Sequence, residues 1–440
     1  MAGQSDTSAR QTALTVHRLL RSPDLRSLRR LVVAATVIAV VAIACGNGDS
    51  DKQTAPTTTA AGTSTSEPGS TSTATSAAPV KVDTVPGMPA VTDPQNLYSD
   101  TASNKLSDAV KGALARVYVP NRRSNTVSVI DPATRRVVDT IDVGLNPQHV
   151  VPSWDLKTLW VTNNAEGRTD GTLTPIDPTT GKRRGPDVAV DDPYNMYFAP
   201  DGKSAIVVAE ARKRLDFLDP QTMQHQTSVS VPNCSGVNHA DFSIDGRFAI
   251  FTCEFQGNLV KVDLVNKTVM GYLPLSEGRM PQDIRVSPDG STFYVAEMMR
   301  GGVYTIDPYS FTETGFIPTG PGTHGLYPSR DGTKLYVANR GQDHVGNNVP
   351  NGPGSVSVLD FATKSVTATW PIPGGGSPDM GNVSVDGKTL WLSGRYDDVV
   401  YAINTDNGDV EKISVGQEPH GLAVWPQPGR YSLGHTGNMR

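Results

Sequence analysis

Seven times between residues 117 and 394 the chain repeats one short phrase of β-forming residues closed by a small or polar one. It reads Val117-Tyr118-Val119-Pro120-Asn121, Leu159-Trp160-Val161-Thr162-Asn163 and Ile206-Val207-Val208-Ala209-Glu210. It continues through Ile250-Phe251-Thr252-Cys253-Glu254, Phe293-Tyr294-Val295-Ala296-Glu297, Leu335-Tyr336-Val337-Ala338-Asn339 and Leu390-Trp391-Leu392-Ser393-Gly394. Successive phrases begin 42 to 47 residues apart, with one interval of 55 before Leu390. Repeats of that length are single supersecondary units that bury their apolar faces against their neighbours. The period is that of a four-stranded propeller blade. The chain is therefore predicted to be all-β, a seven-bladed β-propeller of four-stranded antiparallel blades.

Turn chemistry places the strands inside one unit. Asp-Gly pairs at 201–202, 245–246, 289–290, 331–332 and 386–387 precede the repeated phrase. Asp-Gly supplies the positive φ angles of a tight hairpin, so each pair links an innermost strand to the phrase strand. An alternating strand ending in Asp follows, such as Val127-Ser128-Val129-Ile130-Asp131, and a variable outer strand completes the unit. The aspartates at 131, 177, 219, 263, 307 and 360 close such strands and read as Asx-turn residues. The first unit begins at its phrase strand and lacks an inner one. The last segment, Pro419-His420-Gly421-Leu422-Ala423-Val424, is an inner strand with no blade behind it. Pairing the two closes the ring and removes both free edges. Residues beyond Trp425 leave the repeat and are expected to lie against the ring.

These phrases resemble the YVTN family of β-propeller repeats over residues 115–425. The resemblance implies a fold and leaves function open. Relatives by repeat include surface-layer proteins, lactonase-type propellers and the haem-bearing propeller of cytochrome nitrite reductases.

Six arginines, Arg10, Arg18, Arg21, Arg26, Arg29 and Arg30, precede an uncharged run from Leu31 to Ala44. That run is short for a spanning helix, which needs roughly 20 residues. It suits a signal-peptide core with its positive flank left in the cytoplasm. The run ends in Ala42-Ile43-Ala44-Cys45-Gly46, which resembles a bacterial lipobox and so implies lipidation at Cys45. An uncleaved anchor and plain secretion are the alternatives. All three export the rest of the chain, and the first two hold it at the outer face of the cytoplasmic membrane. From 46 to 96 the sequence is mostly Thr, Ser, Ala, Pro and Gly, too poor in apolar surface to offset the entropy of ordering. The expected organisation is a signal or anchor segment over 1–45, a disordered stalk over 46–96 and a propeller over 97–440.

Strand order decides which side chains meet. Counting back from the Asp-Gly turns, the inner strands begin with Gln148, Tyr194, Asn238, Gln282, His324, Asp379 and His420. The next positions hold His149, Asn195, His239, Asp283, Gly325, Met380 and Gly421. His149, His239, Asp283, His324, Asp379 and His420 are thus expected together at one channel mouth. The phrase strands return to the same face with Glu210, Glu254 and Glu297, followed by Arg300, Arg340 and Arg395 as a supporting polar ring. Imidazole and carboxylate are ordinary ligands of divalent metals. The funnel is therefore a candidate site for a metal, an anion or a small polar ligand. The alternative is that these groups bond strand-end backbone and channel water. An insertion over 340–354 lengthens a connection on this face.

Ser153, Ser243 and Ser287 lie in inner strands without the strand-to-helix elbow of a hydrolase nucleophile. Cys234 and Cys253 fall in one blade and can pair as a disulfide in an oxidising exterior, with two separate thiols as the alternative. A net charge of −5 offers no general reason to expect nucleic-acid binding. The leading expectation is an extracytoplasmic, membrane-anchored scaffold that binds a small polar ligand or an envelope protein. The rival is a metal-assisted, lactonase-like hydrolase or lyase, with His239, Asp283 and His324 as ligands and Glu254 or Glu297 as base. A redox or haem-associated propeller stands third.

Overall fold

A computed structural model describes residues 81–440, apart from 279 and 343–351. Cys45, the anchor, the stalk up to residue 80 and most of the 340–354 insertion lie outside the described residues. The described strands form seven antiparallel sheets, each built on four consecutive strands except where the ring closes. Blade 4 is representative, with Val237–Phe242 innermost, then Phe248–Cys253, Asn258–Asp263 and Thr268–Pro274. Its three inner strands are buried almost throughout, whereas the outermost alternates between exposed and half-buried residues. The inner strands are covered on both faces by neighbouring blades, so their apolar residues run continuously. The rim strand is wet on one side and alternates.

Recurring hydrogen bonds fix each blade. Ser243 donates to Asp245 (2.7 Å), Asp245 accepts the Arg247 N–H (3.1 Å), and Gly246 takes φ 75°. Ser153 with Asp155 and Ser287 with Asp289 repeat the arrangement, so these serines are turn residues. The phrase-ending asparagines clamp the next strand. Asn121 donates to Thr126 and Ser128, Asn163 to Thr172 and Thr174, and Asn339 to Ser355 and Ser357.

Seven apolar clusters lie among the described residues, one at each boundary between neighbouring blades. The cluster between the last blade and the first holds Val117, Val119, Trp391 and Val424, and Trp391 is 2% exposed. Fully burying such side chains stabilises by roughly 1.5–3 kcal/mol each. Closure is completed by the short strand Ala423–Trp425, which pairs with Arg116–Tyr118.

The face carrying the Asp-Gly turns is covered twice. Residues 82–96, expected above to belong to the stalk, run over it together with 97–115. The Val85 N–H donates to Asp245, the Leu97 N–H to Pro288 and the Asn104 N–H to Val385. A Cβ on Gly246 would lie 2.6 Å from the Met88 sulfur. The four apolar residues Val82, Val85, Met88 and Val91 are enough to seat this strap because the ring supplies a prepared surface. The segment after Trp425 then enters the channel from the same face. Gly434 pairs with Tyr197 of the third inner strand, Ser432 donates to Pro152 and Arg440 pairs with Asp241 at 2.8 Å. No helix among the described residues is long and apolar enough to cross a membrane.

Candidate functional site

Among the described residues, the opposite face is uncovered. Gln148, Tyr194, Gln282 and His324, each the second residue of its inner strand, and His420 line a cavity of about 300 Å³. Arg122, Asp192, Glu210, Glu254, Arg340 and Arg395 complete its walls. Arginines come from blades 1, 6 and 7. Asp192, Glu210 and Glu254 come from blades 3 and 4, while Glu166 of blade 2 stands among the arginines, 2.7 Å from Arg122.

At the base of the basic wall, Asp379 is fully buried. His324 Nδ1 and Arg340 Nη2 each lie 2.8 Å from its Oδ1, while His420 Nε2 and Arg395 Nη1 approach Oδ2 at 3.6 and 3.7 Å. Burial alone would raise this carboxyl. The Arg340 charge, with His324 and Arg395, overturns that and holds it far below the usual carboxylate range. Arg395 is less well served. Burial, then repulsion from Arg122, lowers its pKa, and its Nε and Nη1 have no hydrogen-bond partner among the described residues. Its nearest carboxylate besides Asp379 is Glu418, at 3.4 Å, which also binds Arg122 and Arg123. On the acidic wall, burial and then the Glu254 charge push Glu210 well above its ordinary value. Glu254 accepts from Asn238 at 2.7 Å.

A second tier lies beneath. His149 and His239 are fully buried, with rings edge to face at 5.6 Å, and neither ring has a partner on either nitrogen. Burial pushes both well below 6.5, so they are neutral. His435, from the segment after the last blade, places its ring 5.1 Å from His149 and 4.7 Å from His239. One nitrogen from each of the three lies within 4.8 Å of the others.

The profile of the YNCE-like beta-propeller family matches residues 83–428. The chain belongs to that family. No curated protein matches it in sequence. Among solved structures it is similar in fold to hydrazine synthase of Kuenenia stuttgartiensis, at 18% identity and TM-score 0.56, covering 67% of this chain and 93% of that one. It is also similar to the dihydro-heme d1 dehydrogenase NirN in complex with DHE, at 12% identity and TM-score 0.54, covering 74% and 77%. A third is a Bacteroides uniformis protein provisionally assigned as a 6-phosphogluconolactonase, at 16% identity and TM-score 0.55, covering 70% and 98%. At these identities the likeness is one of fold alone.

In this YNCE-like propeller the six residues expected at one mouth separate. His324, Asp379 and His420 stand together at the cavity base, whereas His149 and His239 lie deeper with His435. Successive strand residues point to opposite sides, so adjacent positions could not form one layer. Asp283 joins neither group as a ligand. It accepts the Ile284 and Leu326 N–H groups at 2.9 Å each and faces Arg285, 3.6 Å from His435. The proposed His239–Asp283–His324 ligand set is therefore not assembled.

Glu297 is also absent from the mouth. It is fully buried and accepts the Met280 and Met299 N–H groups, holding its own loop. Arg300 instead stacks on Phe316 at 3.7 Å and pairs with Glu277 at 3.3 Å. Cys234 and Cys253 form a disulfide, with Val237 opposite Cys253 in the ladder. His435 was missed because its segment has no repeat against which a position can be counted.

Proposed function

We propose that the protein is an exported binding propeller that holds a small polar solute in the open mouth, by an anionic group set against the arginine wall. The observation that carries this reading is Arg395, a buried guanidinium with two nitrogens unpartnered and its carboxylate neighbours shared with other cations. Charge-assisted bonds from arginine to carboxylate or phosphate are among the strongest available. The facing Glu210 and Glu254 suit a hydroxyl or ammonium group elsewhere on the same solute. The arginine-rich leader and the lipobox-like end at Cys45 support export and anchoring by lipid, with an uncleaved anchor as the alternative.

Calorimetric titration of the full chain with inorganic phosphate, sugar phosphates and dicarboxylates tests the reading. Saturable binding at one site is expected, weakened at least about 10-fold by Arg395→Gln. Binding that survives that change intact, or no binding across the panel, contradicts it. A hydrolytic use of the same cavity is favoured by one observation, the 2.8 Å approach of His324 to Asp379. Turnover of a lactone panel lost in His324→Phe would move that reading ahead. A redox role has fold likeness in its support and stands third.

A further inference from the structure

The second tier calls for an explanation of its own. Buried polar side chains are nearly always hydrogen-bonded, yet His149 and His239 offer four ring nitrogens with no partner, and the Nε2 of His435 adds a fifth. The three rings come from separate parts of the chain. Two lie third in the inner strands Pro147–Pro152 and Val237–Phe242 of blades 2 and 4, and the third is carried in by the final segment. That segment is held by bonds on both sides of His435. Gly434 pairs with Tyr197, the Asn195 amide lies 2.9 Å from His435 Nδ1, and Asn438 donates to Asp241 at 3.0 Å. The Asn195 amide thus occupies one nitrogen of the His435 ring, while Nε2 lies 3.6 Å from the Asp283 carboxylate.

We infer that His149, His239 and His435 form a buried three-histidine site for a zinc-class divalent transition metal, completed by the final segment of the chain. The proposal goes beyond solute binding at the mouth and does not rest on it. Three imidazoles, with the Asp283 carboxylate 3.6 Å from one of them, favour zinc or copper over magnesium or calcium, which take oxygen ligands throughout. Tetrahedral zinc with bonds of 2.0–2.1 Å needs ligand nitrogens about 3.4 Å apart, and nitrogens already within 4.8 Å of one another reach that by small ring rotations. Three protein ligands leave a fourth position, the arrangement of sites whose metal meets water or a substrate. His420 stands between the tiers, its ring 4.7 Å from that of His149 and its Nδ1 without a partner. The open position therefore has a polar route to the mouth.

The sequence around the site is consistent with a ring held in place. The closing strand passes directly against His149, and a Cβ on Gly421 would sit 1.9 Å from its Nδ1. Any side chain there would displace the ring. Gly421→Ala is thus a probe that alters no ligand.

The test is metal content of the full chain, loaded with zinc and freed of excess by gel filtration, beside cobalt substitution as a spectroscopic reporter. One zinc per chain is expected, with the visible absorption of tetrahedral cobalt. His149→Phe, His239→Phe and His435→Phe should each weaken zinc binding at least about 100-fold. Gly421→Ala should lower affinity or change the cobalt spectrum while every ligand remains. Unfolding of the metal-free variants is followed in parallel, so lost binding is read only from folded protein. Should the His435 variant fail to fold, the His149 and His239 variants and Gly421→Ala still decide. No retained metal in the parent chain overturns the proposal. So does metal retained equally by all three histidine variants, or metal lost only when His324 or His420 is replaced.

Discussion

The two ends of the central channel are built from the same residue types and differ in how completely those residues are satisfied. At the end covered by the strap and the final segment, Asp241 accepts from Val286, Asn438 and Arg440 at 2.8–3.0 Å. Arg330 donates through Nε and Nη2 to Ser384, Val383 and Gln427, so even a guanidinium without a carboxylate is held by carbonyls. Burial alone would lower Arg440, yet Asp241 raises it. At the open end Arg395, His420 and the deeper His149 and His239 keep unpartnered nitrogens under the same degree of burial. A buried polar group left unsatisfied costs about 1–3 kcal/mol. One end therefore uses its charges to hold the fold, and the other keeps them for something that arrives.

That contrast can be broken most severely at Asp241. Asp241→Ala leaves Arg440 buried and unpaired, and should lower unfolding free energy by about 3–5 kcal/mol in denaturant titration. A loss below 1 kcal/mol would mean that the covered end is not what it appears from its bonds. Next in size, zinc at 100 times its dissociation constant should raise the stability of the parent chain by about 2.7 kcal/mol. His239→Phe should abolish that increment while changing metal-free stability by less than about 1 kcal/mol, since it removes no hydrogen bond. Thermal unfolding with and without zinc separates the two.

The smallest effect concerns Asp192, whose carboxyl burial pushes up to about 6 from 3.8, despite its bonds from the Ala211 and Arg212 N–H groups. Its folded form binds the proton more tightly than its unfolded form, so stability falls as pH rises from about 4 to about 6. Asp192→Asn should accordingly stabilise by roughly 1 kcal/mol at pH 7 and by nothing below pH 4. An equal effect at both pH values would show that the carboxyl is not strained.

Much of this was legible before any coordinates. The phrase ending in Asn121 and its six successors fixed the number of blades, because each blade buries its faces only against neighbours. The Asp-Gly pairs marked which strand ends share a face, and so brought His324, Asp379 and His420 to one place. Counting failed where it ignored strand alternation, which set His149 and His239 below the mouth and turned Asp283 toward backbone. It could not reach His435, whose segment has no phase relative to the repeats. Nor could composition show that residues 82–96 dock, since the surface that receives Val85 and Met88 belongs to other blades.

The division of labour is tested most directly by measuring stability and affinity on the same two variants. Full-length Asp241→Ala and Arg395→Gln would each be unfolded in denaturant and titrated, while folded, with whichever small anion the parent chain binds best. The expected outcome is a crossed pattern. Asp241→Ala loses several kcal/mol of stability and keeps the parent affinity. Arg395→Gln keeps its stability within about 1 kcal/mol, because Asp379 keeps Arg340 and Glu418 keeps Arg122 as partners, and loses affinity at least about 10-fold. Should Arg395→Gln unfold the ring and leave binding untouched in what remains folded, the open end would be structural and the assignment of the site would be wrong.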